Sequence, residues 1–238
     1  MSSSPVFSQE QITENVEAVV RLGELDVLSR PGQRDCSGTK CLEPPQDFIV
    51  SKGNLIPHPS YEKLESNIIN DIGLILLPQP AQLNEGVHPA CLPEADQNST
   101  NVKGTILGWG FTSPKTQAFK ILEKIRDSTG VATIPESHQQ KAELTVLENR
   151  KCGSWPSSLT GGMRPTQMCA WDSSAAACRG DSGGPLLTRS GLTGLTNSWT
   201  LIGIVSFGSR HCGGQVPTVL TRVSSYLDWI EEETRRSK

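Results

Sequence analysis

The sequence predicts an all-β chain that ends in one amphipathic helix, and three observations carry that expectation. Short apolar runs alternate on a two-residue period between Gly- and Pro-containing turns, as in Phe48-Ile49-Val50 and Ala142 to Leu147. A glycine-framed serine, Gly180-Asp181-Ser182-Gly183-Gly184-Pro185-Leu186, leads into Leu186-Leu187-Thr188, which reads as a strand. Near the end, Val223, Leu227 and Ile230 fall at helical spacing beside Tyr226 and Trp229. A chain of 238 residues suits one sizeable all-β domain or two modest ones, and one compact unit is expected.

Charge narrows the partners. With 22 basic and 25 acidic residues and no Lys/Arg cluster, nothing reads as a nucleic-acid surface. No apolar run approaches the roughly 20 residues of a membrane span. The seven cysteines lack the paired spacing of a zinc site, so disulfides are expected, and neither metal nor cofactor. Disulfides imply an oxidising, extracellular setting. The opening Met1-Ser2-Ser3-Ser4-Pro5 has no apolar signal core, and a missing or replaced N-terminus would reconcile the two.

In chain order, residues 1 to 15 are polar and read as a mobile arm. Val16 to Leu22 has a strand pattern and runs into Gly23-Glu24-Leu25-Asp26-Val27. Cys36 and Cys41 are close enough to form only a small local ring, with metal binding the lesser alternative. Strand pattern returns at Phe48, and the prolines of Ile56-Pro57-His58-Pro59 force an extended turn. Asn70-Asp71-Ile72-Gly73-Leu74-Ile75-Leu76-Leu77 reads as a buried strand with an acid at its start. A carboxylate there is costly unless a positive or hydrogen-bonding group meets it. Asn98-Ser99-Thr100 is a glycosylation sequon. Thr105 to Gly108 is a strand ending in a Gly108-Trp109-Gly110 turn, and residues 113 to 140 read as an exposed insertion with a short helix near Phe119 to Arg126. Ala142 to Leu147 and Leu201 to Phe207 are further strands.

The serine loop carries the chemistry. Flanking glycines allow positive φ and close backbone approach, so a hydroxyl can be presented with backbone N–H groups aimed at a developing oxyanion. A plain Gly-rich turn is the alternative. The strand-to-helix elbow of α/β-hydrolases does not fit, because a strand follows Ser182, and after the next acid, Asp228, there is no histidine.

The string GDSGGPL resembles the nucleophile loop of trypsin- and chymotrypsin-like serine proteases. VVRLGELDV and the close Cys36/Cys41 pair are most similar to the arthropod clip-domain members, Asn70-Asp71-Ile72 resembles the catalytic-Asp strand, and Val87-His88-Pro89-Ala90-Cys91-Leu92-Pro93 resembles the start of the crossing between barrels. The resemblance implies a chymotrypsin-like double six-stranded β-barrel with a C-terminal helix. It implies Ser182 as nucleophile, Asp71 as the acid that orients an imidazole, Gly180 and Ser182 amides as the oxyanion hole, and Asp181 as acceptor of the amino terminus freed on activation. It implies disulfides Cys36–Cys41, Cys152–Cys169 and Cys178–Cys212. Cys91 would tether a pro-segment and is otherwise the odd thiol. In the specificity pocket, Ala176 stands where trypsin-like members place an acid, followed by Ala177; Ser206 and Gly208 leave the mouth open, and Thr218 replaces a glycine. Such a pocket disfavours Arg or Lys and favours small or apolar residues.

The resemblance covers roughly residues 16 to 234, which it implies are one protease domain, and it fails at the N-terminal side, where no Ile-Val-Gly-Gly start and no Ala-Ala-His-Cys occurs. The first barrel is therefore expected to be incomplete, with unpaired edges. His58, His88, His138 and His211 lack the motif of the catalytic base, and each reads as a surface histidine. Asp71, His88 and Ser182 have the order of a subtilisin triad, with no other subtilisin feature. The expected function is a serine endopeptidase domain of an extracellular innate-immune or clotting cascade, acting on protein substrates or bound by inhibitors, truncated and inactive as this chain. The alternatives are a non-catalytic homologue acting as a decoy and an active hydrolase with a relocated base.

Overall fold

Alternation of side chains decides which face of each strand turns inward, and the two halves of the chain use it differently. The computed structural model describes residues 18–29, 33–37, 39–64, 67–95, 97–111, 137–152, 162–189, 198–208 and 216–237. The N-terminal arm, most of the 113–140 insertion with its expected helix, His211 and Cys212 lie outside the described residues.

The first half is an open arc. β1 (Ala18–Leu22) pairs antiparallel with β4 (Gln46–Val50), and β5 (Leu55–Pro57) with β8 (Gly73–Ile75). Ser51 and the 3₁₀ turn Lys52–Asn54 separate β4 from β5, and the two pairs are distinct two-stranded sheets that follow one another along the chain. β2 (Cys36–Ser37) and β3 (Lys40–Cys41) form a hairpin in which Cys36 lies opposite Cys41 and is bonded to it. β6 (Glu62–Lys63) and β7 (Ile68–Ile69) form another. Along β4, Phe48 and Val50 face inward and are buried, whereas Asp47 and Ile49 face out. The outward face pairs Ile49 with Val19, both largely exposed, and Asp47 with Arg21 through two hydrogen bonds of 2.6 and 2.8 Å. The Gly23–Asp26 turn is held by the buried Asp35 carboxylate, which accepts from the Leu25 and Asp26 amides and from the Ser29 hydroxyl. Burial pushes Asp35 upward, but these donors outweigh it and hold its pKa at about 2.

One expectation is corrected here. The Asn70–Leu77 stretch is not one buried strand: Asp71 and Ile72 are buried, but β8 spans only Gly73–Ile75, and Ile75 and Leu76 are exposed. Among the described residues β8 pairs with β5 alone.

The second half closes. β9 (Lys103–Gly108), β10 (Gln140–Leu147), β11 (Gln167–Trp171), β12 (Pro185–Arg189), β13 (Trp199–Phe207) and β14 (Thr218–Arg222) form a closed barrel in the order β10-β11-β14-β13-β12-β9. Its interior is filled by Ile106, Leu144, Met168, Leu186, Ile202 and Leu220 with smaller neighbours. Leu186 lies opposite Ile106 and Met168 opposite Leu220, so the core is built from direct cross-strand pairs. The short helix α1 (Asn149–Cys152) is tied to β11 by the Cys152–Cys169 disulfide. The chain ends in a 3₁₀ turn, Val223–Tyr226, and helix α2 (Leu227–Arg236).

Because Leu186 is fully buried, Leu186→Ala should lower the unfolding free energy by about 2–5 kcal/mol in a denaturant titration. Val19→Ser, on the exposed face of the arc, should change it by no more than about 0.5 kcal/mol.

Candidate active site

Two stretches far apart in sequence, the buried Asp71 and the more accessible serine loop, meet on β13. The Gly183 amide donates to the Val205 carbonyl at 2.8 Å, and the Val205 amide donates back to the Gly184 carbonyl at 2.9 Å. At the next residue, the Ser206 hydroxyl donates to Asp71 Oδ2 at 2.6 Å. Consecutive residues of one strand thus anchor the serine loop and the acid.

Asp71 is aimed inward by its neighbour. Asn70 has φ +53°, a left-handed conformation that Asn tolerates better than most residues. That conformation is fixed from three directions. Asn70 Nδ2 donates to the Ser60 carbonyl at 2.7 Å, the Tyr226 hydroxyl donates to Asn70 Oδ1 at 2.9 Å, and the Ile72 amide donates to the Asn70 carbonyl at 2.9 Å. Thr221 Oγ1 then donates to the Asp71 carbonyl at 2.7 Å. Close by, Gln167 Nε2 donates to Asn67 Oδ1 and to the Ile68 carbonyl, joining β11 to the arc. Burial pushes the phenols of Tyr61 and Tyr226 up, and the Asp71 charge adds to both.

In the serine loop, Gly180 (φ +98°) and Gly183 (φ +82°) occupy backbone conformations that favour glycine. The Asp181, Gly183 and Gly184 amides are spent on the carbonyls of Cys178, Val205 and Asp181. Among the described residues, the Gly180 and Ser182 amides make no hydrogen bond and are available as donors. The Asp181 carboxylate accepts from the Gly110 amide at 2.8 Å and the Cys178 amide at 2.9 Å. Any side chain at Gly108 or Gly110 would collide with it, which accounts for both glycines of the Gly-Trp-Gly turn. Asp181 borders a cavity of about 160 Å³ shared with Ile106, Phe111, Ala142 and Ala176. Burial raises its pKa, and the two amides only partly oppose that.

The expected specificity residues separate. Ala176 lines the Asp181 cavity, while the buried Ala177 donates its amide to Thr218 Oγ1 at 3.1 Å. The threonine side chain thereby spans to the alanine backbone. Gly208 lies beside Thr218, and Ser206 is committed to Asp71.

Two of the three described histidines have side-chain partners, and the third is exposed. His58 packs edge-on against Tyr226 and against Trp229, accepts from the Ser60 amide at Nδ1, and has its pKa lowered by burial. His138 lies 3.7 Å from Asp26 and 3.0 Å from the Ser137 hydroxyl, and His88 is exposed. Cys91 is a free, exposed thiol whose backbone is bonded to Trp199 and Leu201 of β13. Cys178 is disulfide-bonded, and Cys212 lies outside the described residues. Among the described residues, no group of three His, Cys, Asp or Glu side chains could hold a metal.

Sequence reasoning missed Asn70 and Thr221 as supports of Asp71. The signal for Asn70 was its identity, since a left-handed position before a buried acid suits Asn. Thr221 gave none.

Ser206→Ala leaves a buried carboxylate oxygen without its hydroxyl donor and should cost about 1–3 kcal/mol of unfolding free energy. Asn70→Ala should destabilise more than Asn70→Gly, because glycine keeps the left-handed backbone without the strain of roughly 1–2 kcal/mol that alanine would carry there. For Asp181 the raised pKa sets the sign: its ionisation costs stability as pH rises from the ordinary carboxylate range through the folded-state pKa. Asp181→Asn does not titrate, so its stability relative to the parent should improve across that rise. Paired denaturant titrations over a pH series measure the difference.

Residues 37–230 match the family model described as Trypsin. The chain is 34% identical over 225 residues to phenoloxidase-activating factor 3 of Holotrichia diomphalia, covering 91% of this chain and 56% of that protein. It is 33% identical to melanization protease 1 of Drosophila melanogaster, with 91% and 51% covered, and 32% identical to the clotting factor G beta subunit of Tachypleus tridentatus, with 93% and 62% covered. The chain therefore spans between about half and three fifths of the length of these relatives. With the open arc, the closed six-stranded barrel and the terminal helix in chymotrypsin-like arrangement, the chain belongs to the trypsin family of serine proteases.

Proposed function

We propose that this chain is a serine endopeptidase domain from an extracellular proteolytic cascade, with Ser182 as nucleophile, and that it does not turn over substrate as this chain. The observation that carries the reading is the anchoring of the Ser182 loop and of Asp71 to Val205 and Ser206, while the His58 ring packs against Tyr226 and Trp229, His138 lies beside Asp26, and His88 is exposed. In a competent site, an imidazole between Asp71 and Ser182 takes the hydroxyl proton as Oγ attacks a peptide carbonyl. The Gly180 and Ser182 amides receive the negative charge that develops on the carbonyl oxygen. Asp181, in its own cavity, would exchange an amide donor for a freed amino terminus, a stronger charge-assisted partner that reorders the loop beside Ser182.

Without the base, the hydroxyl keeps its proton. Losing one of three cooperating groups typically costs about 10⁶-fold in kcat, equivalent to about 8 kcal/mol of barrier. The Thr218–Ala177 contact supports a shallow pocket for small or apolar side chains, since an ammonium or guanidinium would find no carboxylate at Ala176. The cascade setting rests on the printed names of the relatives, which refer to phenoloxidase activation, melanization and clotting. The free thiol of Cys91 is where a pro-segment would be tethered.

Exposure of the purified chain to a fluorophosphonate probe, with intact-mass detection, is expected to leave Ser182 unlabelled, as in a Ser182→Ala control. Stoichiometric labelling of Ser182 would overturn the inactive reading. If the chain then cleaved peptides after Arg in preference to Ala, the pocket assignment would fall as well.

A further inference from the structure

The connector between the two halves carries a feature that proteolysis does not use. Asn98-Ser99-Thr100 is the single Asn-x-Ser/Thr triplet with a non-proline middle residue in the 238-residue sequence, so at most one asparagine can be modified on this rule. Its surroundings suit an acceptor. Asn98 is exposed, while Ser99 is buried, with 5% of its surface accessible. The Val102 amide donates to the Ser99 carbonyl at 3.1 Å, and the Asn101 amide donates to the Val146 carbonyl of β10 at 2.9 Å. Asn101 has φ +63°, which turns the connector sharply just after the triplet. The inner side of the turn is thus pinned to the barrel, and Asn98 is left on the outside.

The amide group is also correctly disposed. Asn98 Oδ1 accepts from the Thr100 amide at 2.9 Å, folding the side chain over the following turn and drawing it toward the residue that bears the hydroxyl. Asn98 Nδ2 has no hydrogen-bond partner among the described residues, and neither has the Thr100 hydroxyl. The atom to be modified, on the exposed Asn98, and the hydroxyl that marks the triplet, on the half-buried Thr100, are therefore both without a hydrogen-bond partner among the described residues.

We propose that Asn98 is an N-glycosylation site, taking a single oligosaccharide from a lipid-linked pyrophosphate donor through an oligosaccharyltransferase. Asn98 Nδ2 attacks the anomeric carbon of the donor sugar. The C–N glycosidic bond forms, the bond from that carbon to the pyrophosphate oxygen breaks, the lipid pyrophosphate leaves with the electron pair, and the amide gives up one proton. The glycan would project from the connector between the halves. The site requires passage through a compartment that holds the transferase, so it rests on the extracellular part of the proposed function and is independent of whether Ser182 reacts.

The test is to express the full chain behind a cleavable secretion leader in insect cells and to measure intact mass before and after peptide-N-glycosidase treatment. One glycan per chain is expected, and its enzymatic removal should leave aspartate at position 98. Asn98→Gln and Thr100→Ala should each abolish the glycan, whereas Thr100→Ser should retain it. If the chain is held inside the cell, the same measurement on the retained, membrane-enclosed pool decides the question, because transfer precedes export. An unmodified Asn98 in chain from either pool overturns the proposal, as does a glycan that survives Asn98→Gln. Fluorophosphonate labelling of the same preparations separates this outcome from the fate of the catalytic reading.

Discussion

The hydrogen bond from Ser206 to Asp71 is the contact on which the rest of the arrangement depends. It joins a buried carboxylate of the open first half to a strand of the closed second half, and both residues are almost wholly inaccessible. A carboxylate in such a place is tolerated only when hydrogen-bonding groups face it. Ser206 faces the side chain and Thr221 the backbone carbonyl, and the left-handed Asn70 sets the direction in which the acid points. Residue 205 of the same strand holds the Ser182 loop, so placing Asp71 and placing the serine are one structural event.

The two halves differ in how far they are finished. The second buries a continuous core inside six strands with each edge paired, and it carries the serine loop and Thr218. The first is made of two-stranded sheets, and Val19, Ile49 and Ile75 on its strands and Leu76 just after β8 are exposed. The joint between them is polar, made by Gln167 with Asn67 and Ile68, by Tyr226 with Asn70, and by the two donors to Asp71. Such a joint fixes orientation through direction-dependent bonds, which apolar packing alone would do less sharply. The acid is therefore held in place by the half that is complete.

Much of this was legible in the sequence because the relevant signals were local. The glycines of residues 180 to 184 announced a loop with unusual backbone angles, and two of them have positive φ. The two-residue alternation at Ala142 to Leu147 marked β10, and the spacing of the terminal apolar residues marked the helix. What was not legible depends on partners distant in the chain. The strand at Asn70 to Leu77 looked buried from its run of apolar residues, yet among the described residues β8 has one neighbour, and composition does not reveal how many strands will flank another. Thr221 and Gln167 gave no sign that they would bond residues 150 and 100 positions away. Thr218 could be read as a filler of the pocket, but its bond to Ala177 required the closed barrel.

The central claim is that the nucleophile and its acid are positioned without a working base, and the pH dependence of acyl transfer to Ser182 tests it most directly. A small activated ester gives a single acylation event that can be followed by mass spectrometry from about pH 5 to 9. A hydroxyl activated by an imidazole reacts with a sigmoidal profile whose inflection lies near the histidine range, about pH 6.5. The account predicts slow acylation of Ser182 with no inflection in that range. A fast reaction with an inflection there, lost in Ser182→Ala, would contradict it.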